Sequence, residues 1–289
     1  MERREAYGVC ADALEKFEGY LQRKECAALT RRKYCKDVGL FLQYLGEKQI
    51  ITREILLSYK EWLSGQYAVS SVNSMLAALN QFLEFLELDG WKVRRLRVQR
   101  QLFLRQEKTM TEREYGLLLG EAQRQKKYQL ALIIETLAGT GARVGELPFF
   151  TVKQARRGQI EIRHKGKCRQ ILLPRKLRDR LLTYAARKGI ERGPIFVTRN
   201  GKPKDRSNIW NEMKALGRKA GVDAEKIFPH NLRHFFARSY YELTRDLAGL
   251  AGLLGHSSLE VTRIYTAHPV RFYQRAIDQL EKRTTKNTT

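Results

Sequence analysis

The sequence predicts a mainly α-helical protein of two domains, with one small β-hairpin in the second domain. Apolar residues recur at three- and four-residue spacing through most of the chain, which is typical of amphipathic helices. A basic segment at 92–108 separates two such regions, and an alternating stretch at 159–174 interrupts the helical pattern. With 289 residues, 43% of them hydrophobic, the chain can fill two cores.

The N-terminal domain, residues 1–91, is predicted to be a bundle of four short helices. The first helix carries Leu14, Phe17 and Leu21 on one face. Thr30 has the residue type of an N-cap and is expected to start the second helix. The predicted helices cover about 7–24, 30–48, 53–64, and from Ser70 or Ser71 to Leu86. Their short connections favour an antiparallel bundle.

The second domain is predicted to cover 109–283, followed by a disordered tail at 284–289. Thr111 and Glu114 have capping-box spacing and open it. Helices are expected through about Gly139, and a hairpin with a turn at 165–167 follows within 159–174. Residues 194–197 are predicted to add a short extended piece. Further helices are expected at about 206–221, 230–244, 246–254, 258–264 and 269–283.

The charge of the chain limits the classes of partner. Lys and Arg number 55 against 31 Asp and Glu, a formal net charge of +24. Residues 1–105 hold 18 basic and 13 acidic residues, so most of the excess lies further along the chain. Self-repulsion of this size is relieved by a polyanion. Nucleic acid is the first candidate, because bound cations release counterions from phosphates; an anionic membrane surface and a merely soluble basic protein are the alternatives.

Cysteine usage and hydropathy point to a soluble cytoplasmic protein, associated with the nucleoid if its partner is DNA. None of the four cysteines stands in a C-x-x-C pair, so a zinc site of that type is not expected and reduced thiols are. The N-terminal residues have no apolar run of signal-peptide length. No stretch approaches the roughly 20 apolar residues of a membrane span.

Two basic segments are candidates for contact with a phosphate backbone. The segment 92–108 has six basic residues and no acidic one before Glu107, and we interpret it as an interdomain linker. Its candidate contacts are Lys92, Arg94, Arg95 and Arg97. The start of the second helix offers three more, Arg31, Arg32 and Lys33. Each segment could equally be an ordinary solvated surface.

The first motif with chemical potential is TGARVGEL, residues 140–147. Its glycines allow a close turn after an apolar helix and would present Arg143 at the start of a helix. There the planar guanidinium could bind phosphate oxygens. The alternative is a surface arginine paired with Glu146.

The second motif is PHNLRH, residues 229–234. His230 and Arg233 are three residues apart and share a helix face, which suits a phosphate. His230 and His234 also have the i, i+4 spacing of a zinc pair. However, Asn231 stands where the zinc-hydrolase pattern has Glu, and no third ligand is evident nearby. Either histidine could instead be a core residue.

The third motif is LLGHSSLEVTRIY, residues 253–265. Gly255 has the character of a helix end, and Ser257 with Glu260 has capping-box spacing for a new short helix. Tyr265 lies nine residues after His256, near the end of that helix. A lone tyrosine among 13 is usually a packing residue, so its significance depends on the other motifs.

Taken in order, TGARVGEL, HNLRH and LGHSSLEVTRIY resemble the signature of the phage-integrase family, the tyrosine recombinases. The resemblance spans about 125 residues. The preceding bundle is similar to the family's core-binding, SAM-like domain. No arm-binding domain is visible before the bundle, so the compact, Xer-like two-domain form fits best.

The resemblance implies a catalytic set and a role for each member. The nucleophile is Tyr265, a phosphate clamp is formed by two arginines, and His230 is the acid/base group. His256 contacts the phosphate, and a hairpin lysine protonates the leaving oxygen. Lys165 matches that lysine best, and Lys167, also a candidate DNA contact, is the alternative. The arginines are Arg143 and Arg233.

The resemblance further implies site-specific cleavage and rejoining of DNA through a 3′-phosphotyrosyl intermediate, without metal or cofactor. It implies a catalytic domain and a core-binding domain that form a C-clamp around double-stranded DNA, and a homo-tetramer on two inverted-repeat sites. Two alternatives remain: a type IB topoisomerase-like enzyme, and a non-catalytic DNA-binding protein. The final helix, with Phe272, Ala276, Ile277 and Leu280, would dock on a neighbouring subunit or on its own chain.

Overall fold

The structure is a computed structural model that describes residues 5–97, 109–164, 167–256, 258–265, 274–275 and 277–278. The chain divides into two compact units, Met1–Arg100 and Gln101–Thr289. No helix within the described ranges is both long and apolar enough for a membrane crossing. The predicted last helix and the tail lie almost wholly outside these ranges.

The first unit contains four α-helices, as predicted, and one small antiparallel ladder. The helices are α1 (Ala13–Arg23), α2 (Ala28–Leu45), α3 (Arg53–Gln66) and α4 (Val69–Phe85). The ladder joins β1 (Tyr7–Gly8) to β2 (Ile50–Ile51). The prediction that the first helix starts at residue 7 is therefore wrong, because Tyr7 and Gly8 pair with the chain that leaves α2.

The start of α2 also differs from the prediction. Thr30 lies inside the helix, and the residue before its first turn is Ala27, which is extended and makes no side-chain cap. The Thr30 N-cap prediction is therefore wrong. An extended residue ahead of the helix starts it without a cap, and the strong apolar face of α2 supplies the stability that a cap would add. Aromatic residues fill the core of this unit, where Phe17 of α1 meets Phe82 of α4 edge to face at 5.2 Å.

Residues 92–97 are extended and bound along α4 by two asparagine side chains. Asn80 donates to the Val93 carbonyl at 2.9 Å and accepts from its N–H at 2.8 Å; Asn73 binds Leu96 in the same way at 3.0 and 2.8 Å. Seven helical residues rise about 10.5 Å, and three extended residues span about 10 Å. The two spacings match, so the pair of amides fixes the register of this segment.

The second unit is helical around one two-stranded hairpin. Its elements are α5 (Glu112–Arg124), α6 (Tyr128–Thr140), α7 (Val152–Arg157), β3 (Gln159–His164), β4 (Lys167–Leu172), α8 (Arg175–Arg187), α9 (Arg206–Lys219), α10 (Pro229–Thr244), α11 (Leu247–Leu254) and α12 (Leu259–Thr262). Two 3₁₀ turns matter for the site, Val144–Phe149 and Arg263–Tyr265. The capping box of Thr111 and Glu114 starts α5 as predicted, and the antiparallel hairpin is also as predicted.

Two local predictions for this unit fail. Helix α8 was not expected, because its apolar stripe is only Leu177, Leu181 and Ala185 within a strongly basic stretch. Residues 194–197 form no strand but only isolated bridges, Thr151 with Pro194 and Val197 with Pro203. A proline stands in each bridge, and its missing N–H prevents the ladder from continuing.

Helix α6 is the centre of this unit's core. Ten of its 13 residues are buried, so it is apolar on nearly all sides and packs against α5, α8 and α10. Its C-terminal Gly141 adopts φ +62°, where a side chain would meet Phe236 of α10. A second, smaller apolar cluster joins α10 and α11 to the ring of Tyr265, which is 7% exposed.

Candidate active site

Arg143 stands at the N-terminal end of the 3₁₀ turn that follows α6. The expected helix start is thus a 3₁₀ turn, because Pro148 lies within Val144–Phe149. The Arg143 side chain is 45% exposed and its Nη1 contacts Glu146 Oε1 at 3.0 Å. Its backbone N–H donates to Glu146 Oε2 at 2.7 Å. The surface pair with Glu146 therefore forms, and it leaves most of the guanidinium open to a ligand.

Arg233 is buried, with 1% of its surface exposed. Its Nη1 donates to the Gly141 carbonyl at 2.6 Å and its Nη2 to the Leu254 carbonyl at 2.7 Å. The Nε atom is buried and has no hydrogen-bond partner within the described residues. Burial and the nearby Arg143 lower the pKa of Arg233 to about 10, so it stays charged at neutral pH. A buried cation with a spare donor is a receptor for an anion.

His256 is joined directly to Arg233. Arg233 Nη2 lies 3.0 Å from His256 Nε2, and His256 Nδ1 lies 2.8 Å from Thr262 Oγ1. A guanidinium can only donate, so Nε2 accepts and the neutral ring carries its proton on Nδ1, facing Thr262. Burial, Arg233 and Arg143 lower the pKa of His256 to about 4, which keeps the ring neutral.

The hydroxyl of Tyr265 contacts His234, not His230. Tyr265 Oη lies 3.1 Å from His234 Nδ1. Burial raises the pKa of Tyr265, and the guanidiniums of Arg233 and Arg143 partly oppose that rise. Burial, followed by His230 and Arg233, lowers the pKa of His234 to about 4. Both groups are therefore neutral at pH 7, and the nucleophile candidate is held protonated.

His230 lies on the same helix face as predicted and stacks edge-on against His234, with ring centroids 4.5 Å apart. It is exposed, yet the atoms crowding its ring, followed by Arg233 and Arg143, lower its pKa. No third His, Cys, Asp or Glu of the described chain joins the two histidines in a group that could hold a metal ion.

The hairpin lysines cannot be placed in the site. Lys165 lies outside the described residues, and only the backbone of Lys167 is described, at the first position of β4 opposite His164. The hairpin nevertheless reaches the site through Arg169, whose Nη1 contacts both Glu146 oxygens at 2.9 Å.

The predicted DNA contacts divide into free and occupied side chains. Arg94, Arg95 and Arg97, here called the linker arginines, are exposed on the segment bound by Asn73 and Asn80, and Arg32 is also exposed. Lys92 contacts Glu84 at 2.8 Å and Asp89 at 2.6 Å. Lys33 pairs with Asp37, and the Arg31 guanidinium donates to the Cys26 carbonyl.

Sequence reasoning missed three residues that hold the site together. His234 contacts the phenol, and Glu146 and Arg169 form an ion-pair network with Arg143. His234 was considered only as a zinc or core residue, and its position four residues after His230 was the available signal. Glu146 was considered only as the partner of a surface arginine. Arg169 offered no signal, because its partner is 23 residues away in the chain.

Comparison with known proteins places both units in one family. The profile of the Phage integrase family matches residues 108–271, and that of the Phage integrase N-terminal SAM-like domain matches 14–90. The chain is 29% identical to tyrosine recombinase XerA of Pyrococcus furiosus over 278 residues, 93% of this chain and 94% of that protein. It is 30% identical to XerA of Thermococcus kodakarensis over 274 residues, 92% of this chain and 94% of that protein.

Solved structures share the fold. A XerH recombinase in a post-cleavage complex with palindromic difH matches with a TM-score of 0.71 at 20% identity, covering 94% of this chain and 86% of that one. A lambda integrase dimer bound to a core site matches with a TM-score of 0.69 at 17% identity, covering 89% and 94%. The chain therefore belongs to the phage integrase family, the tyrosine recombinases, which cleave and rejoin DNA strands at specific sites.

Proposed function

We propose that this protein is a site-specific recombinase whose nucleophile is Tyr265 and whose phosphate clamp is Arg143 with Arg233. The observation that carries the proposal is the buried guanidinium of Arg233, which keeps an unpaired Nε–H beside a hydrogen-bonded group that includes His256. The ring of Tyr265 lies close enough for both guanidiniums to lower its pKa against burial.

The two arginines supply the charge stabilisation that the reaction needs. Attack on a phosphodiester concentrates negative charge on the non-bridging oxygens, and paired guanidiniums bind such oxygens with charge-assisted hydrogen bonds. Arg233 is fixed by the Gly141 and Leu254 carbonyls, so its orientation exists before DNA binds. Arg143 is exposed and completes the clamp from the other side of the phosphate.

Tyr265 Oη forms a bond to the scissile phosphorus while the bond to the 5′ oxygen breaks. The phenol proton leaves toward a neutral imidazole, and the 5′ oxygen takes a proton from a hairpin lysine, Lys165 or Lys167. The product is a 3′-phosphotyrosyl enzyme and a free 5′ hydroxyl. Attack by a 5′ hydroxyl of another strand reverses these steps, so no cofactor is required.

His234 is the imidazole that holds the resting phenol, at 3.1 Å. Its pKa of about 4 is far below that of a phenol, so it orients the hydroxyl without ionising it in the resting state. Removal of the proton then depends on phosphate binding, which rearranges the guanidiniums around the phenol. His230, on the exposed side of the same helix, is the acid/base group that exchanges this proton.

The substrate we propose is double-stranded DNA with inverted-repeat sites, bound by a homo-tetramer that holds two sites. The linker arginines and Arg32 offer sequence-independent phosphate contacts, in keeping with the formal net charge of +24. With DNA as its partner, the protein would act at the nucleoid.

The test is covalent trapping on a suicide duplex nicked near the cleavage site. The wild type is expected to accumulate a DNA–protein adduct, and Tyr265→Phe is expected to bind the duplex with unchanged affinity and form none. Equal trapping by both would refute the assignment. Efficient relaxation of a supercoiled plasmid lacking target sites would instead favour the topoisomerase-like alternative, and binding without trapping by the wild type would favour the non-catalytic one.

A further inference from the structure

Arg169 occupies a position that the reaction as proposed does not explain. It lies on β4 with a side chain only 10% exposed, and burial lowers its pKa. All three of its guanidinium nitrogens are engaged. Nη1 contacts both oxygens of Glu146 at 2.9 Å, while Nε and Nη2 donate to the Leu253 carbonyl at 3.2 and 2.8 Å.

These contacts connect the elements that carry the clamp. Glu146 also binds Arg143, through its backbone N–H and its Nη1. Leu253 immediately precedes Leu254, whose carbonyl binds Arg233, and stands three residues before His256. One side chain of the hairpin thus reaches both the Arg143 turn and the end of α11.

The fit around Arg169 requires a glycine at the end of α11. Gly255 has φ +62°, and a Cβ there would lie 2.7 Å from Arg169 Cδ. The helix end that leads to His256 is therefore shaped by two requirements, a left-handed backbone and the passage of the Arg169 side chain.

The charges explain what Arg169 contributes. Glu146 is buried and carries one negative charge between two guanidiniums. With Arg169 present, the three groups sum to one positive charge, and the carboxylate is satisfied without Arg143. Without Arg169, Glu146 would neutralise Arg143 and hold it away from an incoming phosphate.

We propose that Arg169 is a positioning residue of the reaction: it binds the Glu146 carboxylate and the end of α11, so that Arg143 remains charged and available to the scissile phosphate. This inference rests on the proposed function and extends it. Arg169 itself need not touch the substrate.

The test compares Arg169→Met with the wild type in single-turnover cleavage of two suicide duplexes. One has an ordinary scissile phosphate, and the other has a methylphosphonate there, which lacks the negative charge that a guanidinium binds. On the phosphate, the variant should be slower by about 10²-fold, the typical effect of misplacing a catalytic group. On the methylphosphonate, the ratio should shrink to within a few-fold, and Arg143→Ala should show the same dependence on substrate.

Arg180→Met is the matched control. Arg180 pairs with the buried Glu135 at 2.7 Å, so its loss also strands a carboxylate and lowers stability, but away from the clamp. It is expected to cleave both substrates at the wild-type rate. Arg169→Lys, which keeps the charge but loses the fork, should recover part of the loss on phosphate.

Two results would overturn the inference while the wild type still traps DNA. One is an Arg169→Met variant that cleaves both substrates at the wild-type rate; the other is an equal loss on both substrates, which indicates a purely structural role. A wild type that traps neither substrate would refute the proposed function instead.

Discussion

Replacing His234 by Gln should remove a pH dependence from the stability of the second unit. His234 has a pKa of about 4 in the folded protein because burial, His230 and Arg233 disfavour its charged form. In the unfolded chain its pKa returns to about 6.5. Between these values the unfolded state binds more protons, so the free energy of unfolding falls as the pH falls. Above pH 7 the group contributes no such dependence.

The size follows from the two pKa values. Linkage between pKa values of about 6.5 and about 4 gives a loss of about 2 kcal/mol on going from pH 7 to pH 5, and about 3 kcal/mol once the pH is below both. Other groups titrate in this range as well. The prediction therefore concerns the difference between wild type and variant: from pH 7 to pH 5, the wild type should lose about 2 kcal/mol more than His234→Gln.

Trp210 on α9 provides a signal confined to the second unit. The chain has three tryptophans, and the other two, Trp62 and Trp91, belong to the first unit. In a background where those two are phenylalanine, urea unfolding followed by fluorescence reports the catalytic unit alone. Tyr265→Phe is the control: it removes the hydrogen bond to His234 but leaves the ring buried, so it should keep the wild-type pH dependence.

Parallel curves for wild type and His234→Gln between pH 7 and pH 5 would refute the reasoning. So would a wild type that becomes more stable on acidification relative to the variant, because that requires a raised pKa for His234. Either result would mean that the imidazole is charged beside the phenol, and the description of a neutral resting pair would be wrong.

Three further predictions follow from the site and the linker. Gly141→Ala should destabilise the second unit by about 2–4 kcal/mol in the Trp210 assay, because its Cβ would lie 2.5 Å from Phe236 at φ +62°; a loss under about 0.5 kcal/mol would contradict the packing described. Arg233→Lys should slow trapping by about 10²–10³-fold with DNA affinity retained; unchanged trapping would exclude it from the clamp. Replacing all three linker arginines by Ala should lower the slope of log K against log salt by about 3, at roughly 0.9 per phosphate, whereas Lys92→Ala, already paired with Glu84 and Asp89, should change it less; equal slopes per residue would contradict that division.

The fold was predictable where local patterns are strong. The helices with broad apolar faces, the capping box of Thr111 and the alternating hairpin all followed from short-range periodicity. The failures occurred where a distant partner determines the local structure. Tyr7 is a strand residue because Ile51 pairs with it, and α8 is a helix because three apolar residues dock on the core beneath a basic surface.

The site was predictable to the extent that one helix or one turn carries it. Spacing within a helix placed His230 and Arg233 on one face. No spacing could show that His234 contacts a tyrosine 31 residues later, or that Arg169 binds the carboxylate next to Arg143. Those contacts depend on how α10, α11 and the hairpin pack together, which periodicity within a single element does not specify.

The most direct test of the central claim is to identify the residue that becomes linked to DNA. The trapped adduct would be digested with protease and nuclease, and the modified peptide sequenced by mass spectrometry. The account predicts a single modified peptide, with the 3′ phosphate attached to Tyr265. Attachment to any other residue, or through a 5′ phosphate, would contradict it.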